Sequence, residues 1–176
     1  MDTIWKGCLL GDRKAQFQLY QAMSDKMLGV CMRYATQVSE AEEILQAGFI
    51  KVFTKCQLFE NKGSLEGWIR RIMVNTAIEW YRGQNKNGFE SLSASHPVYD
   101  NSTGGEDKLH YKDLLSLIKE LPVGYRTVFN LYAVEGYSHK EIAEMMEISE
   151  GNSKSQLSRA RQWLKERLVS MENIKL

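Results

Sequence analysis

Between Asn152 and Arg161 the sequence NSKSQLSRAR sets amide, hydroxyl, ammonium and guanidinium groups at helical intervals. Asn or Gln can pair bidentately with adenine and Arg with guanine, while Lys and Arg neutralise phosphates, so these are the groups that read a DNA major groove. At about 100° per residue, Asn152, Ser155 and Arg159 share one side of the helix, with Gln156 toward its edge. Leu157, Ala160, Leu164 and Leu168 take the opposite, inward side, and Lys154 and Arg161 are placed to reach flanking phosphates. Asn152, Lys154, Ser155, Gln156, Arg159 and Arg161 are therefore the candidate duplex contacts.

A second basic cluster, Arg70, Arg71, Arg82 and Lys86, is opposed within its segment by Glu79 alone. Arg71, Asn75, Ile78 and Arg82 are expected on the face opposite Ile69, with Arg70 and Tyr81 at its margin. Cations interleaved with an aromatic ring suit single-stranded DNA, because the backbone is neutralised and an unstacked base finds a π surface. Tyr81 is expected to be the more exposed ring, Trp80 is ambiguous between surface and core, and Trp68 is read as core. A third group, Glu43, Gln46, Ala47, Ile50 and Thr54, lies opposite the stripe of Phe49 and Val52. Ile50 is apolar on an otherwise polar face, which marks a partner surface.

The elements that must hold these groups are helices. Ser138 and Glu141 form a capping box, Ile142, Ala143 and Met146 turn inward, Glu147 to Ser149 make a turn, and Ser149 caps the helix that carries Asn152. That is the layout of a helix-turn-helix. Ser39 with Glu42 predicts a further capping box ahead of the apolar run Ile44 to Cys56, and a helix from Leu65 to about Arg82 follows the break at Asn61 to Ser64. Two shorter helices broken near Gly11 precede them. Leu109, Leu114, Leu117, Ile118 and Leu121 mark a helix that Pro122 ends; Val128, Leu131 and Tyr132 mark the next, closed near Gly136. From Gly83 the composition shifts to Gly, Ser and Asn, the mark of a linker. The expectation is an all-α chain of two small helical domains, 1–86 and 108–176, joined by a flexible tether at 87–107.

Composition narrows the function classes. Over 176 residues the net charge is +1, so no uniform basic coat surrounds the chain and the local clusters matter instead. Cys8, Cys31 and Cys56 are widely spaced, and His96, His110 and His139 show no ligand spacing, so neither a metal site nor a disulfide framework is expected. No glycine-rich phosphate loop or nucleophile elbow is present, and no cofactor is expected. The start, MDTIWKGCLLGDRK, lacks the apolar run of a leader, and a cytoplasmic location is expected.

The run LPVGYRTVFNLYAVEGYSHKEIAEMMEISEGNSKSQLSRARQWL resembles the promoter-reading C-terminal domain of sigma-70-type factors, in particular the short extracytoplasmic-function sigma factors. Leu121, Pro122, Arg126, Val128, Phe129, Glu135, Gly136, Ser138, Glu141, Ile142 and Ala143 fit its pattern. Asn152, Ser153 and Gln156 depart from it, standing for Thr, Val and Arg; Ser153 is expected to point inward and bond a backbone carbonyl one turn back. AEEILQAGFIKVF resembles the family helix that docks on the clamp helices of the polymerase largest subunit, which implies that role for Glu43 and Gln46, with Ala47 in place of a common acid. GSLEGWIRRIMVNTAIEWYRGQNK resembles the segment that melts and captures the downstream (−10) element, through Trp68, Ile69, Arg71, Ile72, Asn75, Ala77, Ile78 and Arg82. The resemblance implies a factor without an active site of its own, which binds core RNA polymerase at clamp helices and flap, reads the upstream (−35) element through the helix-turn-helix, and answers to an anti-sigma factor. Two other readings of the residues stay open at this point: a dimeric regulator of duplex DNA, and a helical adaptor that binds proteins only.

Overall fold

The computed structural model of the chain describes residues 1–86 and 116–174. Every regular element among them is helical, and the chain divides into two compact units, Met1–Asn87 and Gly88–Leu176.

In the first unit, α1 (Asp2–Leu9) ends where Gly11 takes φ 76°, a conformation that costs other residues, and Asp12 then accepts the Lys14 N–H at 3.0 Å to start α2 (Arg13–Cys31). The third helix, α3 (Val38–Thr54), begins two residues ahead of the expected box. The Glu40 carboxylate, not Glu42, accepts the backbone N–H groups of Thr36 and Gln37 at 2.7 and 3.3 Å. After a 3₁₀ turn at Cys56–Leu58, Ser64 accepts the Gly67 N–H at 3.0 Å and opens α4 (Leu65–Lys86), which runs through Gly83 past its expected end. The core is built from Leu19, Met27, Ile44, Val52, Ile69, Met73 and Val74, all but inaccessible to solvent. Trp5, Phe59 and Trp68 pack edge-on or tilted with centroids 5.5 to 5.7 Å apart, tying α1 to the first turn of α4. Cys8, Cys31 and Cys56 are free and buried, and burial pushes the Cys31 thiol up to about 12.

At the crossing of α3 and α4, Gly48 lies against Met73. A Cβ added to Gly48 would sit 2.2 Å from Met73 Sδ, so a larger residue there would force the Met73 side chain to move. One turn further on, Lys51 donates to Glu79 at 2.5 Å and to Thr76 Oγ1 at 3.1 Å, which fastens the same two helices by charge.

In the second unit, α5 is described over residues 116–120. Pro122 separates it from α6 (Val123–Phe129), which widens into a π turn at Asn130–Val134; α7 (His139–Met146) and α8 (Glu150–Ile174) complete the unit. Arg126 is buried and donates Nη1 to the Lys119 carbonyl at 2.9 Å, closing the C-terminal end of α5. Leu117, Ile118, Leu121, Ala160 and Leu164 form a core cluster lined by Tyr125, Phe129 and Trp163, while Ile142, Met146 and Leu157 are buried at the junction of α7 and α8. The inward stripe of α8 stops short of expectation: Leu168 is 43% exposed. The tether expected at 87–107, and the helical positions Leu109 and Leu114, lie outside the described residues.

Among the described residues no helix is long and apolar enough to cross a membrane, and no cluster of three or more His, Cys, Asp or Glu could hold a metal ion.

Candidate nucleic-acid interface and docking face

The reading helix is positioned by its turn. Ser138 and Glu141 cap α7 reciprocally, the Ser138 N–H donating to the Glu141 carboxylate at 2.8 Å and the Glu141 N–H to Ser138 Oγ at 3.3 Å. Glu147 ends α7 in the left-handed region at φ 56°, and Ser149 Oγ accepts the Asn152 N–H at 3.1 Å to start α8. Asn152, Lys154, Ser155, Arg159 and Arg161 are then exposed along α8, and Gln156 is half-buried.

Several of these groups already have partners. Gln156 Nε2 donates to Asn152 Oδ1 at 3.1 Å, so the two amides stand as one unit. Arg159 Nη1 reaches the Tyr125 hydroxyl at 3.4 Å. Lys154 pairs with Glu150 at 2.7 Å, and the hydrogen bond and charge of Lys154 hold that carboxylate below its ordinary range.

Ser153 points inward as expected, fully buried, but its partner differs. Instead of a backbone carbonyl, Ser153 Oγ shares a 2.9 Å hydrogen bond with His139 Nδ1. The His139 ring stacks on Tyr132 at 4.7 Å, and the Arg161 guanidinium lies over the far-reaching Tyr132 ring, 5.6 Å from its centroid. Tyr132 itself, one of the positions that mark this helix in the sequence, is 37% exposed. Beside these residues an open groove of about 340 Å³ is lined by His139, Lys154, Leu157, Ser158, Arg161, Gln162 and Lys165. Ser158 was missed as a candidate, although 154, 158, 161 and 165 follow helical spacing; Lys165 belongs to the basic run that the sequence shows on this helix. Tyr132 and His139 carry no such signal, since their contacts cross between elements.

On α4, Arg71 and Asn75 are exposed and Arg70 and Arg82 half-buried, consistent with the expected basic face. Glu79, the acid of that segment, is drawn away to Lys51. Ile78 departs from expectation: it is 2% exposed and belongs to the core, since α4 packs against both α2 and α3 and buries a wider arc than one stripe. Tyr81 and Trp80 are both half-buried, so Tyr81 is not the freely exposed ring the sequence implied. Trp80 Nε1 is buried with no acceptor among the described residues. Lys86 lies in the last turn of α4. On α3, Glu43, Gln46 and Ile50 line one exposed stripe, and Ile50 is 64% exposed.

Residues 19–87 match the profile of sigma-70 region 2, and residues 111–164 that of sigma-70 region 4. The chain is 28% identical over 170 residues to the extracytoplasmic-function sigma factor SigW of Bacillus subtilis, covering 90% of this chain and 91% of that protein. It is 27% identical over 170 residues to the extracytoplasmic-function sigma-E factor of Haemophilus influenzae, covering 90% and 89%. The chain belongs to the sigma-70 family, in its extracytoplasmic-function group. As a sigma factor of that group it is a transcription initiation factor, and the matches to both halves in order do not favour a conventional dimeric regulator. Two solved structures share the sigma-factor fold. CnrH, solved with the cytosolic domain of CnrY, aligns with TM-score 0.50 at 19% identity over 96% of each chain. RpoE of Bartonella quintana, solved with the anti-sigma factor NepR, aligns with TM-score 0.55 at 24% identity over 86% of this chain and 94% of that one.

Proposed function

We propose that this sigma factor docks on the clamp helices of the core RNA polymerase largest subunit through Glu43, Gln46 and Ile50, and brings its second unit to the polymerase flap. There α8 reads the upstream promoter element through Asn152, Lys154, Ser155, Gln156, Arg159 and Arg161. The α4 face of Arg70, Arg71, Asn75, Trp80, Tyr81, Arg82 and Lys86 captures the opened downstream strand. Nucleotide chemistry belongs to the polymerase, and the factor contributes no catalytic group and no cofactor. It acts in the cytoplasm, and an anti-sigma factor is its inhibitory partner, as in the solved Bartonella quintana complex.

The observation that carries the docking half is the exposed Ile50 set between Gln46 and Thr54 on a polar helix face. An apolar side chain left in water on a structured helix gains free energy only when something covers it. The near-zero net charge favours a factor that binds DNA weakly alone and gains its affinity by acting at two elements from one polymerase-bound scaffold.

The test is co-elution of the full chain with bacterial core RNA polymerase on size exclusion, repeated with Glu43→Lys and Gln46→Ala combined. Co-elution that the double variant loses supports both reading and face. A wild-type chain that elutes apart from polymerase, as a dimer that shifts duplex DNA, would sink the proposal in favour of the ordinary regulator.

A further inference from the structure

Ser153 is a departure from the family pattern, a hydroxyl at a fully buried position where an apolar Val is usual. A buried hydroxyl without a partner is costly, and here the partner is a side chain, His139 Nδ1 at 2.9 Å. That bond fixes the His139 ring at the first position of α7, against the start of α8. The fixed ring is stacked on Tyr132 at 4.7 Å with the planes 23° apart, and the Arg161 guanidinium lies over the Tyr132 ring, 5.6 Å from its centroid. Four residues from three elements thus form a continuous chain, from the interior of the helix-turn-helix to a cation on its surface.

The π turn makes this possible. The Glu135 N–H bonds the Asn130 carbonyl at 3.0 Å, an i→i+5 closure, and the Tyr137 N–H bonds the Leu131 carbonyl at 3.0 Å with Gly136 at φ 79°. The widened turn leaves Leu131 fully buried and its neighbour Tyr132 turned out toward α7 and α8.

We infer that Ser153, His139 and Tyr132 are positioning residues that hold Arg161 toward the DNA backbone at the groove it shares with Lys154 and Lys165, so that the departure at Ser153 serves promoter affinity. This rests on the reading of α8 as the upstream-element helix. An arginine on a free stem must lose many rotamers to meet a phosphate; one already laid on a ring loses fewer.

The experiment uses the holoenzyme, assembled from the full chain and core polymerase, and a duplex selected from random-sequence DNA by the wild-type holoenzyme. Arg161→Ala should weaken binding and reduce the slope of log affinity against log salt by about one. Tyr132→Leu should weaken binding about two- to fivefold, the range of an exposed cation–π contact, and Tyr132→Phe should restore it. Added to Arg161→Ala, Tyr132→Leu should cost nothing further. Ser153→Val should weaken binding without lowering the melting temperature, the opposite of what a mere packing defect would give. In the free chain, the Arg161 Nε–H order parameter from ¹⁵N relaxation should fall in Tyr132→Leu and hold in Tyr132→Phe. An Arg161→Ala holoenzyme with unchanged affinity and salt slope overturns the DNA reading of α8 and this inference with it. A changed slope for Arg161→Ala, with full affinity or an unaltered Arg161 order parameter in Tyr132→Leu, overturns this inference alone.

Discussion

Ile50 offers the most direct measurement of the docking face. Burying an isoleucine side chain completely is worth about 1.5–3 kcal/mol, and Ile50 keeps 64% of its surface exposed, so covering the remainder contributes about 1–2 kcal/mol. Ile50→Ser should therefore weaken the complex with core polymerase about 5- to 30-fold. Ile50→Val removes one methylene, about 0.8 kcal/mol if wholly buried and about 0.5 kcal/mol at this exposure, or roughly a twofold loss. Neither change should alter the free chain by more than about 0.5 kcal/mol, since the position is exposed and the helix propensities are close. Anisotropy of the labelled chain titrated with core polymerase gives the affinities, and thermal unfolding of the free chain gives the control. The reasoning fails if Ile50→Ser binds within twofold of wild type, or if valine and serine are equally weak, because the loss would then not follow buried area.

At the α3–α4 crossing, Gly48→Ala gains about 1 kcal/mol of helix propensity but meets the buried Met73 side chain; overpacking of about 1–3 kcal/mol should leave a net loss, and the sign should reverse in a Met73→Ala background. Tryptophan fluorescence reports on it, since Trp5, Trp68 and Trp80 all lie in the first unit. Glu150→Gln releases Lys154 and removes a charge beside the DNA face, so holoenzyme affinity for promoter duplex should rise about two- to fivefold at low salt and converge with wild type at high salt. Tyr81→Ala should slow promoter opening more than binding, and a pre-melted template should restore it; failure of that rescue would remove Tyr81 from the melting role. Burial keeps the Cys31 thiol protonated up to about 12 against an ordinary value near 9.0, so between those pH values the folded chain holds a proton that the unfolded chain has lost. Stability then falls as pH rises through that window, by about 1.4 kcal/mol per unit from this group, and Cys31→Ala should flatten that limb in urea unfolding.

Where structure is set locally, the sequence was enough. The Ser138–Glu141 box, the Ser149 cap and the turn at Glu147 to Ser149 are defined by residues within a few positions of one another, and the helix-turn-helix is legible from them. Local signals also compete: Gln37 with Glu40 and Ser39 with Glu42 have the same spacing, and only the path of the chain into α3 favours the first. A helical wheel gives an angle about the helix's own axis, not where the neighbours stand. Ile78 fell on the polar side of that wheel and is nonetheless buried, because α4 has partners on two sides; Leu168 fell on the apolar side and is 43% exposed. The pairing of Ser153 with His139, and the π turn that sends Tyr132 outward, depend on contacts across elements and left no periodic trace.

The close crossing at Gly48 and Met73 carries an implication for how initiation is timed and measured out. The helix proposed to grip the polymerase and the helix proposed to hold the opened strand touch through a sulfur atom and share the Lys51–Glu79 bridge. Packed so, they should act as one gauge in the proposed complex: seating α3 would set the angle and reach of α4. On that proposal the position at which the duplex comes apart would be inherited from the act of docking, and substitutions at this seam should shift the melted register without touching a base.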